Sequence, residues 1–343
     1  MKRITIEDVA KRTGVSKGTV SAVINARNTV KPTTRDHILE VMKELNFRPK
    51  GVARYLKNGN QDKSIGIIIK DLSYPFYTAI ATGVRDYAKS KGYSVIVASS
   101  DDDHESEKKS SHLFSAKDIK GIIIAPIVAG TAEIEHLFKL KMINYPFVLL
   151  EDVRGIQANV VAIDNLTAIK KAVRYLIESG HRRIVHFAGP PLSSHTQERI
   201  EGFRDAFSES TLVFDREMIV HVGSHYDESF GKTLEYFKSK KSENYPTAIV
   251  CFNDHQALAV MTALKQLEIR VPDDISIIGN DDIYYAQIYP VPLTTIQAPQ
   301  HEIGKRAAEI LIRNIESPTL LPNEHVVLET EFIVRESTRV LNR

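Results

Sequence analysis

The chain is poor in the features that would tie it to oxidative folding, membranes or nucleotide chemistry. Its single cysteine, Cys251, rules out an intrachain disulfide, and a place in the apolar run AIVCF marks it as a small buried residue. No stretch approaches the roughly 18 apolar residues of a transmembrane helix. The N-terminus turns amphipathic at once, without the apolar core of an export signal, so a cytoplasmic protein with no membrane partner is expected. GxGxxG, GxxxxGK[ST] and HExxH are all missing, which argues against dinucleotide, P-loop and zinc-protease chemistry. The 12 histidines show no compact ligand spacing. Asp101, Asp102, Asp103 and His104 read as a solvated strand-end loop, and His181-Arg182-Arg183 as a surface turn before a strand. The sequence therefore predicts no enzyme, no metal and no cofactor.

What is present is a charge asymmetry. Residues 1–60 hold 13 Lys and Arg against 5 Asp and Glu, a balance of +8, whereas the whole chain is only +2. A basic head on an acidic body points to a polyanion-binding module joined to a body with another task. At 343 residues and 43% hydrophobic content, two or three domains are expected.

Within the head, Thr5 and Asp8 have capping-box spacing, and Ile4 and Val9 are placed for a hydrophobic staple. A first helix runs to about Arg12, with Ile6, Val9 and Ala10 inward. Gly14 breaks it, Val15 plugs the turn, and Ser16 caps a second helix whose apolar positions are Val20, Val23 and Ile24. Lys17, Gly18, Ser21 and Ala22 lie toward its other side, at or near the start. In a helix-turn-helix that end meets the bases of the major groove. A third helix, from about Pro32 to Leu45, closes the core with Ile38, Val41, Met42 and Leu45, and Thr33, Thr34 and Arg35 suit phosphate contacts. The basic segment FRPKGVARYLKNG, Phe47–Gly59, would form only about two turns of helix, marginal in isolation. It reads as a linker or as a helix that folds on DNA, with Leu56 a candidate minor-groove wedge.

From Ser64 onward, apolar β-type runs alternate with amphipathic helices in two series, the pattern of two doubly wound α/β lobes. Open α/β sheets form clefts at strand ends. Asp71, Ser73, Tyr74 and Phe76 follow the first body strand. Arg199 begins a helix, Asn253 and Asp254 follow AIVCF, and Asp281 follows ISIIG. A guanidinium fork, carboxylates, an amide and two aromatic rings suit a polar small molecule.

Taken in order, TIEDVAKRTGVSKGTVSAVIN, RPKGVARYL, IGIIIKDLSYPFYTAIATGV, VAIDN, FAGP, FNDHQALAVM and PLTTI resemble the LacI/GalR family of transcriptional regulators over essentially the whole chain. The resemblance implies an N-terminal helix-turn-helix DNA-binding domain with a hinge helix, followed by a two-lobed α/β effector domain like a periplasmic binding protein. The implied boundaries are 1–48 for the head and 49–61 for hinge and linker. The first lobe is then 62–161 plus 291–322, and the second 162–290 plus 323–343. Lys17 and Gly18 then occupy base-reading positions, and Thr5, Ser16, Thr19, Ser21, Asn25 and Thr34 backbone-holding ones. Val52, Ala53 and Leu56 lie in the hinge helix, where Leu56 matches the intercalating residue. Ala22 departs from the family's common Arg, and Lys50 replaces an Asn and could add a phosphate contact. Asp71, Ser73, Tyr74, Phe76, Arg199, Asn253 and Asp281 line the cleft, Asp164 matches a further cleft position, and His225 or Tyr226 matches another. The implied protein is a repressor binding a pseudo-palindromic double-stranded operator as a homodimer, with a sugar, nucleobase or related effector between the lobes. The end at Arg343, without a heptad tail, favours a dimer over a tetramer. Alternatives are control by a protein partner and, against the added head, a transport solute-binding protein.

Overall fold

Thr5 opens the first helix as its spacing to Asp8 predicts: its hydroxyl accepts the Asp8 amide at 3.4 Å, and the Asp8 carboxylate accepts the Thr5 amide at 2.7 Å. This satisfies two donors at the start of α1 (Ile6–Thr13), which stops at Gly14 with φ +72°, a backbone conformation that suits glycine. The Ser16 hydroxyl accepts the Thr19 amide at 3.1 Å to cap α2 (Lys17–Ile24), and α3 spans Pro32–Glu44. Val9, Ala10, Val20, Val23, Ile38 and Met42 form the core, and Ile6, Val15 and Leu45 pack against it.

The computed structural model describes residues 5–24, 30–45, 47, 63–127 and 134–341. The chain divides into two compact units, Met1–Asp62 and Lys63–Arg343. Asn25, Lys50, Val52, Ala53 and Leu56, and with them the expected hinge helix at 49–61, lie outside the described residues, as does Ile4 of the expected staple.

The body begins with β1 (Lys63–Ile69), α4 (Pro75–Ser90), β2 (Tyr93–Ser99), α5 (His104–Ser115), β3 (Ile119–Ile124), α6 (Glu135–Met142), β4 (Phe147–Leu149) and β5 (Asn159–Ile163). A second series follows: α7 (Asn165–Glu178), β6 (Ile184–Ala188), α8 (Ser194–Ser208), β7 (Ile219–His221), α9 (Tyr226–Lys238), β8 (Ala248–Cys251), α10 (Asp254–Gln266), β9 (Ser276–Asp281), α11 (Tyr284–Ile288) and β10 (Thr294–Gln297). The chain closes with α12 (Gln300–Glu316), β11 (His325–Leu328) and β12 (Glu331–Ile333). Two six-stranded sheets result, ordered β11-β5-β4-β3-β1-β2 and β12-β10-β9-β8-β6-β7. All their pairings are parallel except β10 with β12. Strands buried on both faces read as unbroken apolar runs, as in Ile65–Ile69 and Ile122–Ile124.

Sheet pairing corrects the expected lobe boundaries. Residues 291–322 do not all return to the first lobe, because Thr294–Gln297 continues the second sheet beside β9. Buried Thr294 and Thr295 are held there by Ser337 and Asp254. Nor does all of 323–343 stay with the second lobe: His325–Leu328 pairs with β5 in the first sheet, whereas Glu331–Ile333 pairs with β10 in the second, as expected. β5 itself runs to Ile163, so the first crossing falls at Asp164. The main chain thus passes between lobes three times: at Asp164, around Pro299, and between Leu328 and Glu331.

α12 returns to the first lobe as expected and packs on α4 through two glycines. A Cβ at Gly83 would lie 2.0 Å from the His301 carbonyl oxygen, and one at Gly304 would lie 2.0 Å from that of Ile80. His181, expected in a surface turn, is fully buried. Its ring pairs with the Thr247 hydroxyl at 3.0 Å and the Arg339 carbonyl at 3.1 Å, fastening the C-terminal segment to the second sheet.

Candidate functional site

On the head, Lys17 and Gly18 stand exposed at the start of α2. Gly18 presents no side chain, and Lys17 pairs with Glu7 of α1 at 2.5 Å. Ser16 and Thr19 share a hydrogen bond of 2.8 Å between their hydroxyls, and the Thr5 hydroxyl donates to Asp8 at 2.7 Å. Ser21 and Thr34 are half-buried.

In the body, the strand ends of both sheets border a cavity of 390 Å³, within the range of small-molecule sites. Asp71, Tyr74, Phe76, Arg199, Asn253 and Asp281 all line it. Ser73 and Asp164 do not. Ser73 is exposed and donates its amide and hydroxyl to Asp71 at 2.7 and 2.9 Å. The Asp164 carboxylate caps α7 by accepting the Thr167 amide at 2.9 Å. Asp254 also points elsewhere, accepting from Ile283 N at 2.9 Å and the Thr295 hydroxyl at 2.6 Å.

Arg199 is held from several sides. Its Nη1 donates to the Phe252 carbonyl at 2.6 Å and its Nε to Asn165 at 3.2 Å, while its plane lies 4.3 Å from the centre of the Phe252 ring. Its Nη2 is 3.9 Å from Asp281. Asp281 also accepts from the Tyr74 hydroxyl and, at 2.7 Å, from the Asn280 amide. Burial pushes the Asp281 carboxyl up to about 6, although Arg199 and these hydrogen bonds pull the other way. Burial and the neighbouring Asp281 push Asp254 up to about 8. Tyr74 stacks on His255, with ring centres 5.3 Å apart. Ile80, Ile163 and Ile303 add apolar lining to the same cavity.

A second polar cluster escaped the sequence reading. Lys70, directly after β1, meets Glu151 of the first lobe at 2.5 Å. Glu151 accepts the Ser194 hydroxyl at 2.6 Å and lies 3.4 Å from His195, both on α8 of the second lobe. Burial disfavours the Glu151 carboxylate, but His195, Lys70 and the hydrogen bonds from Lys70 and Ser194 outweigh it and hold the group at about 2. The strand-end rule that selected Asp71 could also have selected Lys70 beside it and Glu151 after the run FVLL. Asp102, expected in a solvated loop, lines the cavity and meets His225 of the other lobe at 2.8 Å. That contact brings His225 to the cavity wall, whereas Tyr226 does not line it.

The arrangement can grip a small molecule: a fixed cation, a tunable carboxylate and aromatic planes converge on a space between two lobes. Among the described residues, no group of three or more His, Cys, Asp or Glu is placed to hold a metal ion. No helix among them is long and apolar enough to cross a membrane.

The class defined by these features is a helix-turn-helix protein with a two-lobed, periplasmic-binding-protein-like ligand domain. Residues 5–50 match the family model for bacterial regulatory proteins of the lacI family, and residues 173–338 match the periplasmic binding protein-like domain. The HTH-type transcriptional repressor PurR of Vibrio vulnificus (strain CMCP6) is 32% identical over 343 residues, covering 98% of this chain and 99% of that one. A transcriptional regulator CelR–cellobiose complex superposes with a TM-score of 0.71 at 27% identity, over 98% of this chain and 100% of that one. The Lac repressor dimer bound to operator and the anti-inducer ONPF gives 0.70 at 26%, with the same coverage. The chain belongs to the LacI/GalR family of transcriptional regulators. It is a ligand-responsive DNA-binding regulator and not an enzyme.

Proposed function

We propose that the protein is a homodimeric repressor that binds a pseudo-palindromic operator and answers to a small polar effector, a sugar, nucleobase or related metabolite, held between its lobes. The observation that carries the effector reading is the convergence of Arg199, Asp281 and Tyr74 on the cavity. Arg199 supplies donors in a fixed fork, and Asp281 an acceptor that becomes a donor when protonated. The head supports operator binding through Lys17 and Gly18, with Thr5, Ser16, Thr19, Ser21 and Thr34 on the phosphate backbone. Asn25 and Lys50 are assigned to the same backbone, and Val52, Ala53 and Leu56 to a hinge helix that folds on DNA, as the family resemblance implies.

The dimer reading draws support from apolar side chains left exposed at two places. These are Ile96 and Val97 on edge strand β2, and Tyr284, Tyr285 and Ile288 on α11. A two-fold dimer would present paired heads to a two-fold operator.

The test is a titration of candidate metabolites into a protein–operator complex at fixed salt. One metabolite should change operator affinity in the wild type and leave it unchanged in Arg199→Ala, with operator binding by the ligand-free variant preserved. Linkage requires operator DNA to change the affinity for that metabolite by the same factor. Metabolites that bind the cleft but leave operator affinity unmoved would sink the regulatory reading.

A further inference from the structure

The start of the recognition helix carries an acid–base couple. Lys17, the first residue of α2, meets Glu7 in the first turn of α1 at 2.5 Å. The surroundings make the couple conspicuous. α2 has no acidic residue in its first turn, so a lysine there faces the partial positive charge of a helix N-terminus. Its carboxylate partner has to come from the neighbouring helix. Gly18 offers no side chain, and the Ser16 and Thr19 hydroxyls are engaged with each other. Lys17 is the one charged residue of α2, whose sequence is KGTVSAVI.

A carboxylate on a surface that meets a polyanion opposes binding to any phosphate backbone. That opposition is offset where the DNA presents a donor to the carboxylate and an acceptor to the lysine. In the major groove, the edge of a G·C pair does both: guanine N7 and O6 accept from lysine, and the cytosine N4 amino group donates to a carboxylate. Resting on the operator reading above, we propose that Glu7 is a specificity-determining residue, which with Lys17 forms a donor–acceptor couple matched to a G·C pair in each half-site. Glu7 also draws the Lys17 ammonium toward α1, where the pair sits exposed to solvent.

Selection from a randomised duplex pool by the full-length protein, followed by binding measurements from 50 to 200 mM salt, tests this. Wild type should enrich a sequence with one Glu7-dependent G·C position per half-site. Glu7→Gln should still fold and bind, relax the preference at that position by about tenfold, and bind random DNA more tightly with a salt slope steeper by about one. Glu7→Asp should recover part of the preference, and Lys17→Met should lose preference at the same position. Enrichment of the same sequence by Glu7→Gln, with an unchanged ratio of specific to random affinity, would overturn the role of Glu7 while leaving operator binding intact. Failure of the wild type to enrich any sequence would overturn the operator reading, and this inference with it.

Discussion

Ser194 donates its hydroxyl hydrogen to Glu151 across the cleft at 2.6 Å, joining the first turn of α8 in one lobe to the end of β4 in the other. Glu151 keeps Lys70 within its own lobe, so of the Glu151 contacts a separation of the lobes would break those to Ser194 and His195 and spare that to Lys70. The two sides of the carboxylate therefore have different consequences.

Ser194→Ala removes a cross-lobe bond to a charged group, worth about 1.5–3 kcal/mol, and leaves the buried pair whole. Small-angle scattering of the ligand-free variant should show a larger radius of gyration, with a loss of urea stability no greater than that one bond. Glu151→Gln strands the Lys70 ammonium in a buried setting and should cost about 3–5 kcal/mol. Equal stability losses in the two variants would mean that Glu151 does not separate these roles.

Asp254 should give a pH signature. Its folded carboxyl sits at about 8, pushed there by burial and by Asp281, above an unfolded value near 3.9. The folded state holds the proton more tightly. Its contribution is full below the unfolded value, declines as pH rises toward about 8, and is lost above it. Asp254 accepts from Ile283 N and from the Thr295 hydroxyl; an asparagine in the same pose keeps its oxygen on Ile283 N and can donate to the Thr295 oxygen once that hydroxyl turns. Asp254→Asn should therefore cost less than about 1 kcal/mol at pH 6 and flatten the fall in melting temperature between pH 6 and 9. A loss of several kcal/mol at pH 6 would show that the carboxylate is ionised there.

The α4–α12 crossing should be intolerant of a single methyl group. A Cβ at Gly304 would meet the Ile80 carbonyl oxygen at 2.0 Å, and backbone on both sides leaves little to relax. Gly304→Ala should destabilise the body by about 1–3 kcal/mol in urea titration. Gly231→Ala, where nothing lies within 4 Å of the added atom, should be neutral or slightly stabilising in the middle of α9. Equal effects at both positions would contradict a packing origin.

Elements governed by local rules were legible in the sequence. The Thr5–Asp8 capping box, the Gly14 break and the apolar faces of the head follow from neighbours in the chain, as do the alternating strands and helices of the body. Of the eight expected cleft residues six line the cavity, and five of these follow or end strands, where open sheets form clefts. What escaped depends on partners far away in sequence. Lys70 and Glu151, 81 positions apart in sequence, each look like a solvated charge until the fold brings them together. Asp164 caps a helix, and an aspartate before a helical run reads the same whether it faces a ligand or its own backbone. The strands β10 and β11 are four residues each, too short for their pattern to say which sheet they join.

Asp281 adopts φ +118°, and Asp282 follows at +55°, backbone conformations that non-glycine residues seldom adopt and that cost about 1–3 kcal/mol each. The Asp281 carboxylate faces the cavity. Its main-chain carbonyl accepts from Ala298 N at 3.4 Å and from the Gln300 side chain, at the second passage between lobes. At the other two passages, Asp164 N donates to the Leu328 carbonyl at 3.4 Å. A molecule that tugs on this one carboxylate therefore pulls on a bent lever whose far arm is pinned to the axle. The three passages between the lobes lie where the chain changes sheet, and two of them are tied by these main-chain hydrogen bonds. Residue 281 is where a chemical contact would become a pull on the main chain.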